Sequence, residues 1–122
     1  MLTSGIDLVE IQRIRNSMQN PRFMTRVFSE AERELFARRG MRAETVAANF
    51  AAKEAFGKAL GTGIRGFSLD EVSILRDELG APYFALTGRA EAIARERGLC
   101  FSVSLTHTAE YAVAFVVAQA RG

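Results

Sequence analysis

Several residue types are scarce in this sequence: it has one cysteine, one histidine, two prolines and no tryptophan among 122 residues. The single cysteine, Cys100, excludes an internal disulfide and a cysteine-based metal site. Because Cys100 lies in an apolar run, we interpret it as a small buried side chain and not as a nucleophile. A signal-peptide pattern and an apolar run of membrane-spanning length are also missing, so we expect a cytoplasmic protein without a membrane partner.

A large excess of positive or negative charge is also missing. The 16 Lys and Arg residues nearly balance the 14 Asp and Glu residues, and the formal net charge is only +2. This balance, without a long basic run, argues against a dedicated nucleic-acid-binding protein. Two mild arginine clusters are either ordinary solvated faces or surfaces for an acidic partner or a phosphate-rich ligand. They comprise Arg13, Arg15, Arg22 and Arg26, and then Arg38, Arg39 and Arg42.

What the sequence does contain is the ordinary mixture of a globular domain, with 48% apolar and 25% charged residues. Hydrophobic spacing, Pro21 and a capping box formed by Ser29 and Glu32 place helices in the first half. In the first half, the predicted elements are a strand over 1–7, helices starting near residues 8, 21 and 30, and a long helix over 45–60. In the second half, a strand between residues 67 and 75 pairs as a hairpin with a strand over 83–86. A helix over 88–97, capped by Thr87, and strands over 101–105 and 111–117 follow. This order predicts an α+β fold, with helices packed on an antiparallel sheet, in one domain spanning residues 1–122.

The most informative stretch is residues 50–64, which is rich in helix-forming residues until Gly61 ends the helix. At 3.6 residues per turn, Glu54 and Lys58 lie on one side of this helix. A glycine inside a helix costs about 1 kcal/mol relative to alanine, so Gly57 requires a reason from packing or from ligand access. We interpret this helix as the candidate floor of an active site.

Two carboxylates from distant parts of the chain could meet beside this helix. Asp7 ends the first predicted strand, and Glu54 lies on the helix that must cross the sheet. Together they could hold one hard cation such as Mg²⁺, which prefers oxygen ligands and takes one or two protein carboxylates. Lys58 would offer a point charge to a phosphate, and His107 could contact an anion or transfer a proton.

Each of these residues also has an ordinary structural interpretation. Glu54 and Lys58 have the spacing of a stabilising surface pair, and Asp7 could cap the following helix. His107, in a predicted turn, and Lys53 could simply be solvated. On spacing and composition alone, the sequence therefore predicts an α+β domain with a candidate anion site.

Three segments narrow these alternatives. They are 5–11 (Gly-Ile-Asp-Leu-Val-Glu-Ile), 50–64, where Lys-Glu-Ala precedes Lys-Ala-Leu-Gly-Thr-Gly-Ile, and 103–108 (Val-Ser-Leu-Thr-His-Thr), followed by Tyr111 and Ala112. Together they strongly resemble the holo-acyl-carrier-protein synthases, the small bacterial members of the phosphopantetheinyl transferase superfamily. The similarity covers essentially the whole chain, including residues 28–32 and the turn at 80–82.

The resemblance implies a phosphopantetheinyl transferase fold assembled as a homotrimer, with three active sites at subunit interfaces. The implied activity is Mg²⁺-dependent transfer of the 4′-phosphopantetheine arm of coenzyme A to a serine of apo acyl carrier protein, as required in fatty acid biosynthesis. Adenosine 3′,5′-bisphosphate is the other product. The carrier-protein serine would attack in line and lose its proton to Glu54 or to a metal-bound water.

Matching positions carry the family's functional residues onto this sequence. Asp7 and Glu54 match the Mg²⁺ ligands, and with Lys58 they are the residues expected to perform catalysis. The residues expected to bind coenzyme A are Lys53, Lys58, Gly61, His107 and Arg42. The residues expected to dock the acidic carrier protein are Arg13, Arg22 and Arg26.

Two positions depart from the family pattern. Asn49 stands where relatives commonly have arginine, so one phosphate contact is either missing or supplied by Arg42 or Arg39. Ala81 replaces a basic residue in the turn, which we interpret as surface variation. Two other functions remain open: a non-catalytic assembly module whose arginines bind an acidic partner, and a different Mg²⁺-dependent nucleotide enzyme, such as a pyrophosphate hydrolase.

Overall fold

Two antiparallel sheets lie against one long helix in the computed structural model, which describes residues 1–121. The elements are β1 (Leu2–Glu10), α1 (Ile11–Ser17), α2 (Pro21–Val27), α3 (Glu30–Arg38), α4 (Ala43–Leu60), β2 (Val72–Arg76), β3 (Pro82–Leu86), α5 (Gly88–Glu96), β4 (Leu99–His107) and β5 (Tyr111–Ala120). A short 3₁₀ turn, Leu69–Glu71, precedes β2. None of the helices in this part of the chain is both long and apolar enough to span a bilayer.

The larger sheet has the order β1-β5-β4, and β2 and β3 form a separate hairpin. In the larger sheet Asp7 pairs with Ala114, and Leu105 pairs with Ala114 from the other side. The first and last segments of the chain are therefore joined through β5, and β1 and β4 are the two edges. The predicted α+β fold with helices packed on an antiparallel sheet is confirmed.

The central helix α4 is buried on nearly all sides, and seven of its 18 residues are alanine. The wholly buried alanines of α4 include Ala47, Ala51, Ala52 and Ala55. Their small side chains let the sheet approach closely. At the closest point, a Cβ on Gly5 of β1 would collide with the Ala55 carbonyl oxygen, so only glycine fits there. The motif that carries the candidate chemistry is thus also the centre of the core.

Aromatic rings connect the two sheets across this helix. The Phe56 ring packs against Phe67, Phe84 and Phe101, with ring centroids 4.6–5.5 Å apart. Burial of one such ring contributes about 1.5–3 kcal/mol relative to leaving it exposed. Because Phe84 belongs to β3 and Phe101 to β4, this cluster fixes the hairpin against the larger sheet.

The beginning of the chain differs from the prediction. Strand β1 continues through Glu10 instead of ending at Asp7, and α1 begins only at Ile11. The longer strand is explained by alternation of buried and exposed side chains: Val9 is buried against α4 and Leu8 lies on the opposite face of the sheet, as the two-residue period of a strand requires. The apolar residues after Leu8 fit helical and strand spacing equally, and pairing with β5 decides between the two.

Two caps were predicted, and one is confirmed. The Ser29 hydroxyl accepts from the Glu32 amide, and the Glu32 carboxylate accepts from the Ser29 amide. At α5, Thr87 occupies the cap position but its side chain makes no capping hydrogen bond. The Glu71 carboxylate accepts from the Arg89 amide instead, so a residue distant in sequence caps that helix.

Candidate functional site

Asp7 and Lys58 meet at the surface between β1 and α4. Gly5, Asp7 and Val9 share the face of β1 that packs on the helix, so Asp7 is directed towards α4. The Lys58 ammonium donates to Asp7 Oδ1 at 3.2 Å and to the Ile6 carbonyl at 2.8 Å. The structure therefore joins two predicted site residues from distant parts of the chain.

Glu54 lies beside this pair. Burial raises the pKa of its carboxyl above the usual value, and the negative charge of Asp7 raises the pKa further, while Lys58 and Arg13 lower it. Within residues 1–121, no basic side chain forms a salt bridge with Glu54. Two carboxylates thus repel each other where only one ammonium is bonded, an arrangement that favours an additional cation.

The ordinary interpretations of these acidic residues do not hold. Lys58 pairs with Asp7 and not with Glu54, so the one-turn pair on the helix surface is absent from the described residues. Asp7 is not a helix cap, because α1 begins at Ile11 with Glu10 at its cap position.

The acidic pair fits a magnesium ion better than a transition metal. Within residues 1–121 there is no group of three or more His, Cys, Asp or Glu side chains that could surround a metal. Mg²⁺ needs only one or two carboxylates, because it keeps several waters and binds substrate phosphates. Asp7 and Glu54 are both partly exposed, so waters can reach their carboxylates.

The loop that follows α4 is folded back onto the helix. Gly61 adopts a left-handed conformation with φ of 83°, and the Gly63 amide then donates to the Gly57 carbonyl at 3.0 Å. A Cβ on Gly57 would lie 2.5 Å from the Gly63 oxygen. Packing of this loop therefore explains the glycine inside the helix.

Two arginines from the α5 region hold the ends of this loop. Arg97 donates to the Leu60 carbonyl at 3.0 Å, which satisfies an end of α4, and Arg89 donates to the Gly66 carbonyl at 3.0 Å. The loop is fixed at both ends, beside the helix that carries Glu54 and Lys58.

Lys53 requires a correction. Its side chain is completely buried, and its ammonium donates to Glu32 Oε1 at 2.6 Å and to the Leu69 and Val72 carbonyls at 2.8 and 2.6 Å. An ammonium has three N–H donors, and all three are used. Lys53 is therefore neither solvated nor available to a phosphate of coenzyme A; it joins α3, α4 and β2 in the core.

A second candidate region lies at the other edge of the sheet. His107 is the last residue of β4, not a turn residue, and it lines a cleft of about 230 Å³ with Thr45, at the beginning of α4. Arg39 and Arg42 line the same region, and Glu44 is 3.8 Å from Arg42. The structure therefore brings His107 and Arg42 together, with Arg39 beside them.

Arg76 at the end of β2 also lines this cleft, although the sequence did not single it out. The one sequence feature that pointed to Arg76 was asparagine at position 49, where relatives commonly have arginine. The Asn49 side chain accepts a hydrogen bond from Arg76 at 3.0 Å. Contact between residues 27 positions apart could not be inferred from spacing.

The acidic and basic regions are separate within one chain. Asp7, Glu54 and Lys58 do not line the His107 cleft. Asp7 and His107 lie on the two edge strands, with β5 between them, which separates them by about 10 Å or more. Each region offers only part of what a long phosphate-bearing ligand would contact.

The predicted docking arginines form an exposed group near the acidic pair. Arg13 lies on α1, and Arg22 and Arg26 lie on α2. All three are exposed, and none forms a salt bridge with another residue in the range 1–121. Arg13 is also near enough to Glu54 to lower its pKa, so the basic surface adjoins the acidic pair.

Comparison with known proteins gives one consistent result. Residues 4–116 match the family model of the 4′-phosphopantetheinyl transferase superfamily. A holo-acyl-carrier-protein synthase of Clostridium perfringens is 43% identical over 119 residues, which cover 93% of this chain and 90% of the relative.

Solved structures agree. The holo-acyl-carrier-protein synthase of Neisseria meningitidis superposes with a TM-score of 0.88 and 36% identity, covering 96% of this chain and 97% of that one. The Helicobacter pylori synthase, in complex with coenzyme A, gives a TM-score of 0.84 and 30% identity, covering 95% and 99%. The chain therefore belongs to the 4′-phosphopantetheinyl transferase superfamily, within its holo-acyl-carrier-protein synthase branch, and is a phosphopantetheinyl transferase.

Proposed function

We propose that this enzyme transfers the 4′-phosphopantetheine group of coenzyme A to a serine of apo acyl carrier protein, depends on Mg²⁺, and releases adenosine 3′,5′-bisphosphate. The observation that carries the proposal is the position of Asp7 and Glu54, two mutually repelling carboxylates beside the Lys58 ammonium. The relative of known structure with bound coenzyme A supports the choice of donor.

The residues of the acidic pair have separate tasks in this proposal. Asp7 and Glu54 would hold Mg²⁺, whose chemistry is to neutralise charge on phosphate oxygens. Lys58 stabilises the negative charge that develops on the phosphate groups during transfer. Its ammonium is already fixed by Asp7 and the Ile6 carbonyl, so little reorganisation is needed.

Glu54 is also the candidate proton acceptor. A carboxylate beside the reacting atoms can take up a proton as a general base. In the transfer, the serine oxygen forms a bond to the phosphorus of the phosphopantetheine arm, and the bond between that phosphorus and the bisphosphate oxygen breaks. The serine proton passes to a Glu54 oxygen.

The nucleotide end of coenzyme A is assigned to the His107 cleft. His107 and Arg42 offer donors to phosphate oxygens there, and in the described part of the chain Glu44 is the one acidic residue that lines the cleft. Gly61, in the fixed loop after α4, would contact the arm nearer to Lys58, because a Cβ built on it meets no atom within 4 Å.

A homotrimer would unite the two regions. The outer face of the larger sheet is apolar and exposed, with Leu2, Ile6 and Leu8 on β1 each more than half exposed and Tyr111 and Phe115 on β5 more than a third exposed. An apolar face of this kind indicates association. The acidic region lies at the β1 edge of the sheet and the basic region at the β4 edge. In a ring of three copies, the acidic region of each copy would therefore lie beside the basic region of its neighbour.

The exposed group of Arg13, Arg22 and Arg26 would dock the acidic carrier protein. Unpaired surface arginines increase the association rate with an acidic partner and lose this effect as salt is added. The adjacency of Arg13 to Glu54 would place the docked serine near the acidic pair.

One experiment tests the proposed function. The protein is incubated with coenzyme A, Mg²⁺ and apo acyl carrier protein, and the carrier is weighed by mass spectrometry. We expect the carrier to gain one phosphopantetheine group with Mg²⁺ and none with excess EDTA. Glu54→Gln should lose the activity while remaining folded, and Glu34→Gln, an exposed substitution on α3, should keep it.

The alternatives give other results in the same experiment. An assembly module would neither modify the carrier nor consume coenzyme A. A pyrophosphate hydrolase would consume coenzyme A without carrier protein. Either result would overturn the proposed function.

A further inference from the structure

The His107 cleft contains more positive charge than its protein surroundings balance. Arg39, Arg42 and Arg76 line the two overlapping parts of the cleft with His107. Of the acidic residues in the range 1–121, Glu44 alone lies among them, and it is 3.8 Å from Arg42. Within residues 1–121, Arg39 and Arg76 have no carboxylate within 4 Å. A cluster of guanidinium groups without counter-charge favours a bound anion.

Arg76 is held in this cluster by neutral groups. Its Nη2 donates to Asn49 Oδ1 at 3.0 Å, and its Nη1 lies 3.3–3.4 Å from the Leu75 and Ile74 carbonyls. Burial lowers the pKa of Arg76, and the nearby positive charge of Arg39 lowers it further, while the buried Glu32 carboxylate raises it. These contacts use only part of the five N–H donors of a guanidinium, so donors remain for a ligand.

The amide of Asn49 cannot turn away from Arg76. Asn49 is completely buried, and its Nδ2 donates to Glu32 Oε2 and to the Ile74 carbonyl, both at 2.9 Å. Both partners are acceptors only, so the amide oxygen must face Arg76. Glu32 is itself fixed by the buried Lys53, so a rigid chain of contacts extends from the core to the cleft.

We propose that Arg76, held in place by Asn49, contacts and recognises a phosphomonoester dianion in the His107 cleft. The inference rests on the proposed function, in which the ligand is the nucleotide end of coenzyme A. It also gives the departure at Asn49 a purpose, because Asn49 anchors a guanidinium that reaches the cleft from β2. A planar guanidinium suits a phosphate better than an ammonium does, since it can donate two parallel hydrogen bonds.

The first test compares two nucleotides that differ by one phosphomonoester. Binding of adenosine 3′,5′-bisphosphate and of adenosine 5′-monophosphate is measured by calorimetry. Arg76→Gln should weaken binding of the bisphosphate about 10- to 30-fold, the usual cost of a charged hydrogen bond, and that of the monophosphate by less than about 3-fold. The affinity of Arg76→Lys for the bisphosphate should lie between those of the unmodified protein and Arg76→Gln. Lysine keeps the positive charge but cannot donate the two parallel hydrogen bonds of a guanidinium.

A matched control and a kinetic measurement complete this test. Arg95→Gln changes an exposed arginine on α5 outside the cleft and should leave both affinities unchanged. In the transfer assay, Arg76→Gln should raise the KM for coenzyme A by the same 10- to 30-fold factor. It should leave the KM for dephospho-coenzyme A and for the carrier protein unchanged.

The role of Asn49 is tested by combining substitutions. Asn49→Ser should weaken binding of the bisphosphate, and in that background Arg76→Gln should add less than about 3-fold, because the two residues act as a unit. Circular dichroism checks that each variant is folded. If Asn49→Ser does not fold, the comparison of Arg76→Gln with Arg76→Lys still decides the role of Arg76.

The outcomes separate this inference from the proposed function. Equal loss for both nucleotides, unchanged affinity in Arg76→Gln, or no binding of the bisphosphate by the unmodified protein would overturn the role of Arg76. Normal transfer with an unchanged KM for coenzyme A in Arg76→Gln would overturn it while leaving the function intact. Binding that depends on Arg76 in a protein that modifies no carrier would support it and overturn the function.

Discussion

Lys53 and Lys58 lie on the same helix and in the same motif, but their surroundings are opposite. The Lys53 side chain is completely buried, bonded to Glu32 and to two carbonyl oxygens. The Lys58 side chain is 55% exposed and bonded to Asp7 at the surface. One lysine of the motif therefore stabilises the fold, and of these two lysines Lys58 is the one that can contact a substrate.

The same contrast applies to the acidic partners. Glu32 is wholly buried and receives hydrogen bonds from Lys53, Asn49 and the Ile74 amide. Asp7 is half-buried and shares its surroundings with the repelling carboxylate of Glu54. The buried pair of Lys53 and Glu32 has no ammonium donor left for a ligand. The surface pair of Lys58 and Asp7 lies next to a second carboxylate and can still bind a cation.

The largest effect should come from breaking the buried pair. Lys53→Met should lower the free energy of unfolding by about 3–5 kcal/mol, because it leaves the Glu32 charge buried without its cation. Urea denaturation measures the change. The double variant Lys53→Met with Glu32→Gln should recover part of the loss. Equal destabilisation by Lys58→Met would contradict the contrast, since that exposed pair should contribute less than about 1 kcal/mol.

The next effect concerns turnover. Lys58→Met should lower kcat for transfer about 100-fold, as expected when one group that stabilises transition-state charge is removed. The urea midpoint should hardly change. The measurement is the rate at which holo carrier protein forms at saturating substrates. A fall in stability that matches the fall in rate would mean that Lys58 is structural and not catalytic.

Carrier docking should show a smaller effect. Arg22→Glu should raise the KM for acyl carrier protein about 10-fold at low salt and leave the KM for coenzyme A unchanged, because Arg22 is exposed and does not line the His107 cleft. The difference should shrink as salt is added. Arg95→Glu on α5 is the control for net charge. Equal changes in both KM values would remove the docking role.

The smallest effect is a pH dependence of stability without metal. A raised pKa in the folded state means that ionisation of Glu54 opposes folding, so this cost appears as pH rises above the usual carboxyl pKa of 4.5. In EDTA, Glu54→Gln should therefore be more stable than the unmodified protein at neutral pH and equal to it below pH 4.5. Thermal unfolding at several pH values measures this. Added Mg²⁺ should reverse the order; a variant less stable in EDTA would contradict it.

Local patterns predicted the order of the helices and strands, because each has its own periodicity or turn residues. The capping box at Ser29 and the central helix are examples. Local patterns did not predict every boundary: the first hairpin strand begins only at Val72, and His107 lies in β4 and not in a turn. The end of β1 was not predictable, since Val9 and Ile11 fit either spacing and pairing with β5 decides. The prediction that Thr87 caps α5 was wrong for a similar reason, because Glu71 accepts from the Arg89 amide from another part of the chain.

The candidate site was predictable to the extent that it lies in motifs. Residue type left Asp7, Glu54 and Lys58 with two interpretations, and the family resemblance placed them in one site; the structure brings them to one surface. The burial of Lys53 was not predictable, because its partner Glu32 was recognised only as a cap. Arg76 was missed because its contact with Asn49 depends on how the hairpin packs against α4.

Asp7 and Glu54 are proposed to share one divalent cation, and catalysis depends on this more than on any other feature of the site. Titration with Mn²⁺, followed by electron paramagnetic resonance, tests it without requiring turnover. We expect one ion bound per chain, and about 10-fold or greater weakening in both Asp7→Asn and Glu54→Gln, with Glu34→Gln unchanged. Unaltered Mn²⁺ affinity in either site variant would contradict the account.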